Sequence, residues 1–152
     1  MLLKIACSLL KIACLLTMLE YHHLSQNRTF AADVLIPFAR EILRFYRLHY
    51  QRWPQGSGKL VISPAQTLET WQEVINPSEQ IAGVRAVLGG LARLPAAMST
   101  AEDKALWSEL NALMPDVPTL QDAVTNATYL SHAEYWYMQG SLLCIPQVHP
   151  CC

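Results

Sequence analysis

Two apolar runs with helical spacing, joined by only four polar residues, dominate the first third of this chain and constrain it to begin as a helical hairpin. The first run covers residues 2–24. Within it Leu-Leu-Lys-Ile-Ala-Cys occurs at 2–7 and again at 9–14. The duplication places Lys4, Ser8 and Lys11 along one helical stripe and surrounds it with leucine and isoleucine. A helix of that kind needs burial on several sides. Ser25-Gln26-Asn27-Arg28 is a connection of the length that joins antiparallel neighbours. With Thr29 as the expected N-cap, Val34, Phe38, Ile42, Phe45 and Leu48 repeat at near-helical spacing toward Gln51. Pro37 lies inside this second run and should kink or split it.

Two further helices follow a more irregular stretch. Ser78 is the expected N-cap of the first, whose stripe is Ile81, Val84, Leu88 and Leu91. Gly83 and the pair Gly89-Gly90 each weaken such a helix by about 1 kcal/mol relative to alanine, so close packing against a neighbour is the expected reason for them. Leu94-Pro95 ends it. Ser99-Thr100-Ala101-Glu102 reads as a capping box opening the next helix, with Leu106, Trp107, Leu110 and Leu113 on the buried face and Pro115 and Pro118 beyond its end. After Thr119 the pattern fades. The aromatic cluster Tyr129–Tyr137 suits a short helix, and residues 138–152 show neither period nor capping logic, so the expected division is a helical domain at 1–137 and an irregular tail.

The 152 residues fit one domain, and 52% apolar against 15% charged residues allow a sizeable core or apolar surface meant for something else. A net charge of −1 without any basic block argues against nucleic acid as a partner. Leu2 to Met18 is mostly apolar, but Lys4 and Lys11 divide it into pieces too short to span a bilayer. No small-residue cleavage pattern precedes Glu20-Tyr21-His22-His23, so neither membrane anchor nor signal peptide is read there and localisation stays open. Cys7, Cys14, Cys144, Cys151 and Cys152 cluster at the two ends without a C-x-x-C pair, which fits neither a disulfide framework nor a zinc site. His22-His23 with Glu20 lacks a third ligand at metal spacing, so no metal and no cofactor is expected. The N-x-T sequons at Asn27 and Asn126 matter only in a glycosylating pathway.

The stretch Lys59 to Pro77 carries the most specific chemistry. Gly56-Ser57-Gly58 breaks the preceding helix, and Leu60-Val61-Ile62 is a β-prone triplet halted by Pro64, giving a short strand that feeds a loop. Glu69 in that loop neighbours Trp71. A carboxylic acid beside an indole and below an apolar strand loses water, which disfavours its charged form and makes it a candidate general acid. A loop glutamate that merely binds backbone amides is the plainer alternative. Trp71 suits stacking on a sugar face or filling a core gap. Gln66 and Asn76 suit holding hydroxyls or satisfying backbone groups, and His49 suits binding or an interaction with its helix dipole.

Pro64-Ala65-Gln66-Thr67-Leu68-Glu69 resembles the P-S-T-S-P-E loop of α-L-fucosidase-type members of the six-hairpin glycosidases, which lies just after a similar L-V-x-x-P strand. Leu68 stands where the family loop has proline. Pro37-Phe38-Ala39-Arg40-Glu41-Ile42, His49-Tyr50, Glu69-Thr70-Trp71, Asn76-Pro77 and Ile81-Ala82-Gly83 look like uncharacterised bacterial glycoside hydrolase-like proteins of the same superfamily. The resemblance extends over roughly residues 15 to 135 and is specific mainly in the central loop. It implies an all-α fold of helical hairpins forming part of an (α/α)6 toroid, with one short strand and loop near 59–77. It also implies carbohydrate as the substrate of the complete protein, Glu69 as the catalytic acid, and a secreted or periplasmic parent. The base of an inverting pair, about 6.5–9.5 Å from the acid, would come from hairpins that this sequence does not contain. Related sequences continue past a segment like Leu130-Ser131-His132-Ala133-Glu134-Tyr135 with N-x-E-N-P-E-L-Y-type residues, and here they do not. The expectation is therefore a fragment, cut or frame-shifted near Tyr137, inert alone and prone to self-association through uncovered apolar faces. The competing expectation is a non-catalytic helical module that binds a partner chain.

Overall fold

In the computed structural model, residues 2–52, 57–66, 72–138 and 141–144 are described, with side chains at 10–52, 57–66 and 73–134. The chain is mostly helical. Helix α1 spans Leu2–Ser25, and Asn27 turns the chain. The side-chain oxygen of Asn27 accepts from the Phe30 amide at 2.9 Å, so Asn27, not Thr29, caps the short helix α2, Arg28–Phe30. The rod continues through a π-helical turn at Ala31–Leu35 into α3, Ile36–His49. That turn is how the helix takes Pro37 without breaking. Proline has no N–H for the carbonyl four residues back and its ring crowds that carbonyl, while a wider turn gives the ring room.

Helix α4, Ser78–Ala92, starts one residue earlier than a Ser78 cap requires: Pro77 holds the cap position and offers no side-chain bond. The Ser78 amide instead donates to the His132 carbonyl at 2.9 Å, which replaces the missing cap with a tertiary contact. Helix α5, Ala101–Leu113, does open on a capping box, but its members are Thr100 and Asp103. The expected Ser99–Glu102 pair is off by one residue because Asp103 also has a partner on α3, described below.

Residue pairs fix how the helices stack. Lys11 on α1 lies 5.5 Å from the ring centroid of Phe45, and the Tyr21 and Phe30 rings are 4.7 Å apart, so α1 and the rod ending in α3 run antiparallel. Ile12 meets Gly83 and Leu19 meets Gly90, so α4 runs parallel to α1. Arg40 meets Asp103 and Arg47 meets Glu109, so α5 runs parallel to α3. Arg85 reaches the carbonyls of Met114 and Pro115, which makes α4 and α5 antiparallel. The result is two helical hairpins laid side by side with like helices parallel. Ile12, Leu15, Leu43, Tyr46, Val84, Leu91 and Leu110 form the core between them, all within 1% of complete burial.

The connections Gln26–Asn27 and Arg93–Thr100 lie at one end of this array and every strand at the other. A single short strand was expected near residue 60, and the structure has more. Strands β1 (Gln51–Arg52) and β2 (Leu60–Val61) pair antiparallel. A four-stranded antiparallel sheet is ordered β3 (Ala65–Gln66), β4 (Gln72–Ile75), β7 (Tyr135–Met138), β8 (Ser141–Cys144). Strands β5 (Thr119–Gln121) and β6 (Thr128–Leu130) make a two-stranded ribbon. The helix expected at Tyr129–Tyr137 is therefore absent: Tyr129 lies in β6 and Tyr135–Tyr137 in β7. Ser141–Cys144, in the stretch expected to be irregular, pairs with β7 from Tyr135↔Cys144 to Met138↔Ser141. Aromatic and β-branched side chains fit a pleated surface once a partner strand exists, and besides the adjacent β8 the partner of β7 is β4, distant in sequence.

Candidate functional site

The candidate loop belongs to the β3–β4 hairpin. Gln66 and Gln72 are paired across the two strands, with a bulge between Ala65 and Gln66, and residues 67–71 run between them. Glu69 and Trp71 lie in that segment, outside the described residues. What the structure does define is the stem on which the segment stands.

One side of the stem is fixed by a chain of polar groups through the helices. The Tyr46 hydroxyl on α3 donates to Gln80 Oε1 at 3.4 Å, and Gln80 Nε2 on the first turn of α4 donates to the Gln66 carbonyl at 3.4 Å. Tyr46, Gln80, Ala65 and Val74 are all fully buried. A buried amide must spend its donors and acceptors inside the protein, so Gln80 ties the end of β3 to both hairpins.

Asn76 fixes the other side. It adopts φ 52°, a left-handed conformation that asparagine tolerates better than most residues. There its backbone amide donates to the Ile62 carbonyl at 3.0 Å while its Oδ1 accepts from the Ile62 amide at 2.8 Å. Its Nδ2 donates to Glu134 Oε2 at 2.5 Å, and the Glu134 amide donates to the Ile75 carbonyl at 3.0 Å. Asn76 thus clasps three segments that converge from residues 62, 75 and 134. It is 3% exposed, which makes it a holder of the stem rather than a surface amide.

The other candidates are spread around this end of the molecule. Gln66 is half-buried at the tip of β3. His49 is exposed at the last turn of α3, its ring stacked on Phe45 with centroids 4.5 Å apart. Of the carboxylates near the stem, Glu73 is exposed at φ 59° and Glu134 is half-buried against Asn76. Glu134 and its bond to Asn76 were not readable from sequence, since the two residues are far apart in the chain. Among the described residues no group of three or more His, Cys, Asp or Glu could hold a metal ion, and no helix is long and apolar enough to cross a membrane.

Among the described residues the strongest electrostatic perturbation lies at Asp103, away from the loop. Asp103 is 1% exposed and accepts from Arg40 Nε at 2.6 Å and Nη2 at 3.0 Å. It also accepts from the amide and hydroxyl of Thr100. The Arg40 guanidinium, followed by the Thr100 donors, outweighs desolvation and lowers its pKa to about 2. The same pair raises the pKa of Arg40. Both partners are held permanently ionised, which suits a structural lock and not proton transfer. Comparison with protein-family models, with curated proteins and with solved structures finds no match.

Proposed function

We propose that the chain is a piece of a glycoside hydrolase-like protein of the six-hairpin kind, in which Glu69 donates a proton to the leaving oxygen of a glycosidic bond. Trp71, Gln66 and His49 face the sugar in this reading, and Asn76 positions the loop from below. The observation that carries it is the clamped stem. Gln80 bonds the Gln66 carbonyl just before residues 67–71, and Asn76 closes the base of the same hairpin on Ile62; a general acid has to be held within a fraction of an ångström of its target. Two antiparallel hairpins laid side by side with like helices parallel support the finer fold reading. Repeated around an axis, that unit closes an (α/α)6 toroid, with the strands and the loop of Glu69 at one mouth. The acid of an inverting pair needs a second carboxylate to activate water. In this reading the partner comes from further hairpins, so the isolated chain binds sugar and does not hydrolyse it.

Titration of the full chain with an oligosaccharide array tests this. Saturable binding lost in Trp71→Ala and retained in Glu69→Gln is expected. Binding to no glycan, or binding indifferent to Trp71→Ala, contradicts it.

A second reading, a non-catalytic helical module, is favoured by one observation. Leu10, Tyr21 and Leu24 on α1 and Val34, Phe38 and Leu48 on the neighbouring rod are exposed, Leu24 at 76% and Leu48 at 69%. On each rod they recur at helical spacing and make an apolar stripe that a partner chain or a further hairpin would cover.

A further inference from the structure

Helix α1 carries a repeat displaced by seven residues, Leu-Leu-Lys-Ile-Ala-Cys at 2–7 and again at 9–14, and seven residues is the period with which one helix winds around another. Continued past the duplication, that period picks out Leu10, Cys14, Thr17, Tyr21 and Leu24, spaced four, three, four and three apart. All five are exposed, Leu10 at 64% and Tyr21 at 50%. None of them is charged, and Cys14 is a free thiol. A seam with coiled-coil spacing thus stands open to solvent.

The packing of the two hairpins sets the direction that the seam faces. At about 100° per residue, Leu10 and Tyr21 lie on the side of α1 opposite Ile12 and Leu19. Those two meet Gly83 and Gly90 of α4. On α3, Phe38 is likewise opposite Arg40 and Arg47, which bond Asp103 and Glu109 of α5. The seam and Phe38 therefore share the outer flank of the first hairpin, turned away from the second.

We propose that this flank binds a second copy of the same chain, with two α1 helices packed antiparallel about a two-fold axis. In that order Leu10 of each chain meets Tyr21 of the other and Cys14 meets Thr17, so one register satisfies the whole seam from both sides. The small pair lies at the axis, where it lets the helices approach, and the large pairs flank it. Leu24 falls level with Cys7, which extends the same spacing in the sequence. Burying the seam together with Phe38 removes on the order of 1,000 Å² from the two chains, the lower bound of a specific interface, so the dimer dissociates on dilution. The inference names the partner for the exposed stripe of the second reading and rests on that reading.

Sedimentation equilibrium of the full chain is expected to show a reversible dimer at high micromolar concentration. Leu10→Glu is expected to weaken it at least tenfold with the helical circular dichroism intact, since the site is exposed in the single chain and central in the pair. Val124→Glu, at a residue 94% exposed between β5 and β6, is expected to leave it unchanged. Oxidising a mixture of Leu10→Cys and Tyr21→Cys chains with diamide is expected to join positions 10 and 21 of different chains, mapped by mass spectrometry. Association that persists in Leu10→Glu, or a mixture that links 10 to 10 or 21 to 21, or that lacks the 10 to 21 link, overturns the antiparallel seam and leaves the interaction module standing. A chain that stays monomeric at millimolar concentration overturns both.

Discussion

Arg40 and Asp103 join the two helical hairpins through a two-pronged ion pair, Nε to Oδ1 at 2.6 Å and Nη2 to Oδ2 at 3.0 Å, whose carboxylate doubles as the capping-box acid of α5. One side chain thereby satisfies a helix end and ties the first hairpin to the second. Truncating it leaves Arg40 without its partner and the Thr100 amide without an acceptor.

The pH dependence follows from the direction of the shift. Asp103 has a folded pKa of about 2 against an ordinary 3.8. A depressed carboxylate pKa contributes stability that is fully present well above the unfolded value and is lost as pH falls toward the folded one. Urea unfolding of the wild-type chain should therefore lose on the order of 2 kcal/mol between pH 6 and pH 2 from this group. In Asp103→Asn the loss from this site should be absent and the chain less stable at pH 6. Parallel wild-type and variant curves over that range would remove the assignment.

Gly83 and Gly90 both lie where α4 crosses α1, and the structure distinguishes them. A Cβ on Gly83 comes within 2.6 Å of Ile12 Cγ2, while one on Gly90 comes within 2.7 Å of Leu19 Cδ1. Ile12 is buried and stiff at its branched carbon, whereas Leu19 is half-buried and can rotate. Gly83→Ala should destabilise by about 1–2 kcal/mol despite the gain in helix propensity, and Gly90→Ala should be near neutral. In an Ile12→Ala background, itself about 2–5 kcal/mol less stable, Gly83→Ala should cost less than it does in the wild-type chain. Thermal melts of the four variants check the order.

Asn76 is expected to be among the most sensitive polar positions. Asn76→Ala removes the acceptor of the Ile62 amide and the donor to Glu134 at a buried site, a loss of about 2–3 kcal/mol. Asn76→Asp keeps the acceptor but sets a second carboxylate against Glu134, so it should be tolerated better at pH 4 than at pH 8. Amide exchange at residues 60–62 and 72–75 reports the stem directly. Unchanged protection in Asn76→Ala would mean that the clasp contributes nothing.

The exposed stripe makes its own prediction. If it is an interaction surface, the chain self-associates with rising concentration, and Leu24→Glu with Leu48→Glu restores a monomer by light scattering. Both sites are exposed, so folding stability should change by less than about 0.5 kcal/mol. A wild-type chain that is monomeric at high concentration would argue against an interaction module.

The helices were legible because their signals are local. Stripes such as Ile81, Val84, Leu88 and Leu91 repeat within one element, and Gly83 and Gly90 of α4 announced a close neighbour that proved to be α1, whereas Gly89 has no such neighbour. What failed were features decided by distant partners. The α5 cap moved from Ser99 to Thr100 with Asp103, which Arg40 also holds, and Pro77 replaced Ser78 at α4, where His132 supplies the missing acceptor. The aromatic segment became strand because Val74 and Ile75 lie beside Trp136 and Tyr135, pairings that no local period encodes. Near the candidate loop the short strand at residue 60 could be read from sequence, but the clasp of Asn76 with Ile62 and Glu134 and the bond from Gln80 to Gln66 could not. The candidate acid itself lies outside the described residues.

The most direct measurement is therefore the titration of the Glu69 side-chain carboxyl in the full chain by carbon-detected NMR. A general acid kept partly dry beside Trp71 should titrate well above the ordinary glutamate value of about 4.3, and Trp71→Ala should bring the midpoint down. A midpoint at or below the ordinary value, unmoved by Trp71→Ala, would contradict the assignment of Glu69 as the proton donor.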